Sequence, residues 1–98
     1  MDTQTVISRL RKNKRQLRAA GLREISLFGS TATGKQSDTS DVDLAVRLDD
    51  VANLDLFRFA ALTEKVRHLL GTPVDIVVEP ARNPRIQEQI NRDRLRVF

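Results

Sequence analysis

The sequence predicts an α/β (α+β) domain, a small mixed β-sheet with helices packed on it. Three observations point there. Short apolar runs rich in β-branched residues occur at 22–28, 42–48 and 73–79. Apolar residues recur at helical spacing in 3–20 and 53–70. Glycine or proline stands where most of these runs stop. Alternating helical and strand patterns in so short a chain give one α/β layer structure, read as one domain over residues 1–98.

The elements follow in order. Val6, Leu10, Leu17 and Ala20 define a first helix over 3–20, with Asp2 or Thr3 able to cap its start and Gly21 to end it. LREISLF then reads as a buried strand that stops at Gly29. Residues 29–40, GSTATGKQSDTS, are small and polar, a loop with room for one helical turn. VDLAVRL at 42–48 alternates: Val42, Leu44, Val46 and Leu48 face one way, Asp43, Ala45 and Arg47 the other. A helix over 53–70 carries a stripe of Leu54, Phe57, Ala61, Leu62, Val66, Leu69 and Leu70, closed by Gly71 and Pro73. Phe28, Phe57 and Phe59 are expected in the core. PVDIVVE is a third strand. Asn83-Pro84 opens a last short helix holding Ile86 and Ile90, and Leu95, Val97 and Phe98 form an edge strand or a packed tail.

Composition narrows the function. Without cysteine, disulfide frameworks, cysteine-ligated zinc and cysteine nucleophiles are excluded. No apolar run approaches the roughly 20 residues of a membrane span, and the N-terminus lacks a signal-peptide core, so no membrane association and a cytoplasmic location are expected. The net charge of +4 hides segregation. Residues 9–23 hold Arg9, Arg11, Lys12, Lys14, Arg15, Arg18 and Arg23 and no acid. Residues 38–55 hold Asp38, Asp41, Asp43, Asp49, Asp50 and Asp55 against Arg47 alone. The basic run suits nucleic acid, nucleotide phosphate or an acidic protein partner, or is simply a solvated helix face. Nucleic acid is not expected as a partner. There is no Trp or Tyr to stack on bases, and the acidic stretch repels phosphate unless a cation intervenes.

The chemistry concentrates between Leu27 and Val46. Gly29-Ser30 directly follows a strand, where glycine lets backbone approach a ligand and free N–H groups favour an anion such as phosphate. Lys35, after Gly34, can add a point charge; because Gln36 follows it, this is not a P-loop. In Ser40-Asp41-Val42-Asp43, the two aspartates sit at i and i+2 on one face of a strand, roughly 6.5–7 Å apart. Paired carboxylates repel and raise one pKa unless a hard divalent cation such as Mg²⁺ sits between them; solvated loop acids are the alternative. Asp75 is the only polar side chain in VDIVV, and reaches the same face if its strand neighbours 42–48. Three acids beside a phosphate-binding turn are what two-metal phosphoryl or nucleotidyl transfer requires. Of the remaining polar residues, His68 reads as a helix-surface residue, Glu79 as a possible rim residue, and Arg47 as either an ion-pair partner or a nucleotide contact.

Gly29-Ser30, Ala32, Gly34, Ser40-Asp41-Val42-Asp43 and Asp75 together resemble the signature of the DNA polymerase β nucleotidyltransferase superfamily, most closely its minimal nucleotidyltransferases. The resemblance spans nearly the whole chain and implies a polymerase β palm-like fold. It also implies that Asp41, Asp43 and Asp75 hold two Mg²⁺ ions, that Asp75 acts as general base, and that Gly29 and Ser30 bind the nucleoside triphosphate. Lys35 and Ser40 complete the expected nucleotide site. Many small members carry arginine where Thr31 and Thr33 stand, so weaker nucleotide affinity is expected, with the two hydroxyls and Lys35 as partial replacements. Small members also resemble MNT antitoxins of HEPN/MNT toxin–antitoxin pairs. That implies transfer of AMP from ATP to a tyrosine of a HEPN-type toxin, within a homo- or hetero-oligomer. The alternative is a non-catalytic antitoxin that neutralises its partner by occlusion.

Overall fold

In a computed structural model of the chain, residues 1–37, 41–49 and 53–98 are described. Helix α1 (Thr3–Lys12) is capped by Asp2, whose carboxylate accepts from the Thr5 N–H at 2.7 Å. Asn13 separates it from α2 (Lys14–Ala19), so the continuous helix expected over 3–20 is two. The Asn13 amide donates to the Arg9 carbonyl, the local side-chain bond by which asparagine competes with the helical ladder.

Strands β1 (Leu22–Phe28), β2 (Val42–Leu48), β3 (Val74–Val78) and β4 (Leu95–Arg96) form one sheet in the order β3-β2-β1-β4. β1 pairs antiparallel with β2 and β4, while β2 and β3 are parallel and joined through α4 (Leu56–Leu70). A parallel pair needs such a crossover, and α4 supplies it. Short α3 (Gly29–Thr33) bridges β1 toward β2, and α5 (Pro84–Asp93) precedes β4. Asn83 caps α5 and Pro84 opens it, as the sequence predicts. Both expectations for the C-terminus hold at once: Leu95 pairs in the edge strand, while Val97 and Phe98 are buried.

The two faces of the sheet bury different partners. Leu22, Ile25, Leu27, Val42, Leu44, Val46 and Ile76 pack against Val6, Leu10, Leu17, Leu62, Val66 and Leu70 from α1, α2 and α4. On the other face, Phe28 and Ala45 meet Ile90 of α5, with Val77 and Ile86 alongside. Phe57 departs from expectation: it is 85% exposed. At about 100° per residue it lies roughly 140° round α4 from Leu62, outside the stripe that Leu62, Val66 and Leu70 turn inward. Among the described residues, no helix is long and apolar enough to cross a membrane.

Candidate active site

Strand alternation decides which side chains meet. Val42 and Leu44 are core residues, so Asp43 between them points to the α5 face. Asp75 lies between Val74 and Ile76 in β3, and the parallel register places it opposite Asp43. Asp41, two residues before Asp43, is exposed at the entry to β2. From the other side, Phe28 at the end of β1 is the register partner of Asp43 and delivers Gly29 beside it. Gly29 is buried and has φ +71°; a Cβ built there would overlap the Asp43 Oδ2 and stand 3.3 Å from its Cγ. Glycine is required twice over, by the dihedral and by the carboxylate that fills the space of a side chain. Sequence reading places Gly29 at a turn; its contact with Asp43 emerges only from the antiparallel register.

The charges do not balance locally. Partial burial pushes the Asp43 carboxyl above its ordinary range, and the negative charges of Asp75 and Asp41 push it the same way. Among the described residues, Asp41, Asp43 and Asp75 have no ion pair with any basic side chain. Nor do any three acidic or histidine side chains among the described residues close on one point as a formed metal-ligand set. The three aspartates therefore share a face and repel one another without converging on a common centre. Their chemistry, oxygen donors with uncompensated negative charge, fits a hard divalent cation.

The loop residues divide. Ser30 is half-buried, and its carbonyl accepts the Lys35 N–H at 2.9 Å. Lys35 itself is exposed beyond the C-terminal end of α3, the end away from Gly29. Ser40 and Asp38 lie outside the described residues. Thr31 is buried, and its carbonyl accepts the Thr3 hydroxyl. The Thr33 hydroxyl donates back to the Gly29 and Ser30 carbonyls at 3.2 and 3.3 Å. That hydroxyl thus secures α3, where the sequence suggested it could face a ligand.

Two further expectations resolve at the opposite end of the same face. Glu79 is not a rim residue. It is 4% exposed, pairs with Arg94, and accepts from Gln87 at 3.1 Å. Arg47 takes the ion-pair option, reaching Glu24 at 3.3 Å and Glu79 at 3.5 Å. Burial pushes the Glu79 carboxyl up, but the hydrogen bonds from Arg94 and Gln87, with the charges of Arg94 and Arg47, outweigh it and hold the group below its usual range. His68 is exposed on α4, as expected.

The family model for the nucleotidyltransferase domain matches residues 7–97. The chain belongs to the nucleotidyltransferase domain family. This nucleotidyltransferase is similar to the protein adenylyltransferase MntA of Thermococcus cleftensis, with 34% identity over 85 residues that cover 86% of this chain and 84% of the relative. Among solved structures it is similar to a chain assigned as a minimal nucleotidyltransferase, at 33% identity and TM-score 0.79, covering 97% of this chain and 95% of that one. It is also similar to a structure of tri-AMPylated Shewanella oneidensis HEPN toxin in complex with MNT antitoxin, at 27% identity and TM-score 0.64, covering 91% of this chain and 70% of that one. The α/β fold and the minimal nucleotidyltransferase family expected from the sequence are both borne out.

Proposed function

We propose that this nucleotidyltransferase is metal-dependent and moves AMP from ATP to a hydroxyl of a partner protein, a tyrosine of a HEPN-type toxin, and thereby acts as an antitoxin. One observation carries the reading: Asp43 and Asp75 are register neighbours beside Gly29, with Asp41 on the same face, and their charge is uncompensated. The relatives named as a protein adenylyltransferase and as an MNT antitoxin beside an AMPylated HEPN toxin support the donor and the acceptor.

Asp41, Asp43 and Asp75 would hold Mg²⁺, which when bound neutralises phosphate charge and polarises the α-phosphoryl group. Gly29 and Ser30 offer backbone to the triphosphate, with Lys35 and Ser40 as further nucleotide contacts. β3 is an edge strand and Asp75 is exposed, so solvent reaches the carboxylate and a protein acceptor can approach it. Asp75 takes the proton as the acceptor oxygen bonds to the α-phosphorus; the bond from that phosphorus to the β-phosphate oxygen breaks, and pyrophosphate leaves. Occlusion alone needs no such clustered negative charge.

The test is label transfer from α-phosphate-labelled ATP to a HEPN-type partner with Mg²⁺. Label on the partner is expected with the unmutated protein, and none with Asp43→Asn or with a chelator. Absence of label with the unmutated protein, or full transfer by Asp43→Asn, overturns the reading.

A further inference from the structure

Arg11, Lys12, Lys14, Arg15 and Arg18 line a groove of about 720 Å³ on α1 and α2. None of the five has an acidic partner among the described residues. Three are nevertheless held in place. The Arg11 Nε donates to the Val97 carbonyl at 2.9 Å, and Lys14 and Arg18 sit 5.8 and 5.4 Å from the centroid of the buried Phe98 ring. Cations fixed by carbonyl and ring contacts keep their charge for a ligand and give up less freedom on binding it.

The lining also says what kind of ligand fits. Protein interfaces rest on buried aromatic or aliphatic anchors, and this groove has none. A row of Lys and Arg without an apolar anchor matches a phosphodiester backbone, where charge supplies most of the affinity. Without exposed aromatic rings in the groove, bases have nothing to stack on, so a duplex suits it better than a single strand. The sequence-level objection, repulsion by the acidic stretch, is eased where the fold puts the sheet between the charges: α1 and α2 cover one face and Asp43 projects from the other, while Asp49, whose N–H donates to the Gly21 carbonyl, stays near the end of α2.

We propose that the α1–α2 groove binds the phosphate backbone of a nucleic-acid duplex, without base specificity. Five phosphate contacts give a slope of about −4.5 in log affinity against log salt, a loss of roughly 500-fold between 50 and 200 mM. The experiment is fluorescence anisotropy of labelled 20-base-pair duplexes, DNA in one arm and RNA in the other, titrated with the full chain at both salts. Lys12→Gln with Arg15→Gln, both exposed, should flatten the salt loss to roughly 40-fold. Arg92→Gln on α5 should leave it unchanged. Asp43→Asn should bind duplex normally, which separates this site from the transfer reaction. No binding at 50 mM, equal binding by the double variant, or full displacement by a poly-glutamate peptide at equal charge concentration would each overturn the proposal.

Discussion

Replacing Gly29 by alanine tests the candidate site most directly, because Gly34 supplies its own control. Both glycines have a left-handed backbone, φ +71° and +74°. An alanine at Gly34 meets nothing within 4 Å and bears only the conformational cost, about 1–2 kcal/mol. An alanine at Gly29 bears the same cost and also overlaps the Asp43 carboxylate. If the carboxylate stays, the overlap adds about 1–3 kcal/mol, as in other overpacked sites. If it swings aside, the overlap is relieved at the expense of the acid cluster. In a domain of this size each kcal/mol lowers Tm by about 4–8 °C. Gly34→Ala should therefore lose about 4–16 °C and keep nucleotidyl transfer. Gly29→Ala should lose at least as much, with transfer reduced about 100-fold or more, the scale on which small misplacements of reacting groups act. Thermal unfolding and labelled-ATP transfer on both variants measure the two effects. A Gly29→Ala protein that melts like Gly34→Ala and transfers at the unmutated rate would refute the argument that Gly29 makes room for Asp43.

Asp43 titrates above the ordinary carboxylate range, so its ionisation disfavours the folded state. Its contribution to stability is fully present below the unfolded-state pKa and is lost as pH rises through the folded one. Without divalent cation, Asp43→Asn should thus melt higher than the unmutated protein at pH 7, with the gap closing below the carboxylate range; Mg²⁺ should raise the Tm of the unmutated protein more than that of the variant. Glu79 behaves oppositely. Its lowered pKa gives stability that is present at neutral pH and lost as pH falls through the folded value. Glu79→Ala leaves Arg94 without its buried partner and should cost roughly 3 kcal/mol in urea unfolding, the low end for a broken buried pair because both arginines keep access to water. Leu70→Ala should cost about 2–5 kcal/mol, since Leu70 is fully buried, whereas Phe57→Ser should change stability by no more than about 0.5 kcal/mol.

The strands and the acid positions were legible because β-strand alternation is a strict period of two. Once Val42 and Leu44 are taken as core, Asp43 must face the other way, and the same holds for Asp75 between Val74 and Ile76. The order of helices and strands was equally readable. Phe57 and the break at Asn13 were not. A helical stripe about 100° wide tolerates several phases for one aromatic, and one asparagine ends a helix only when its amide finds a nearby carbonyl. The fate of Glu79 and Arg47 was also hidden: Arg94, which pairs with Glu79, lies 15 residues beyond it and returns only through α5 and β4, and Arg47 meets Glu79 only across the β2–β3 pair. The sequence marks Gly29 as a turn that lets backbone approach a ligand; its positive φ and its contact with Asp43 depend on the folded register.

Because the spacing of Asp43 and Asp75 is dictated by a parallel backbone ladder, outer helix surfaces can drift without retuning the acid pair. Val42 and Ile76 lock the two strands from behind, and the Val42 N–H anchors to the Pro73 carbonyl at 3.1 Å. Such a scaffold is modular: the outer helices can be exchanged while the two strands keep the acid pair at one spacing, so that helix surface and acid placement change on separate clocks.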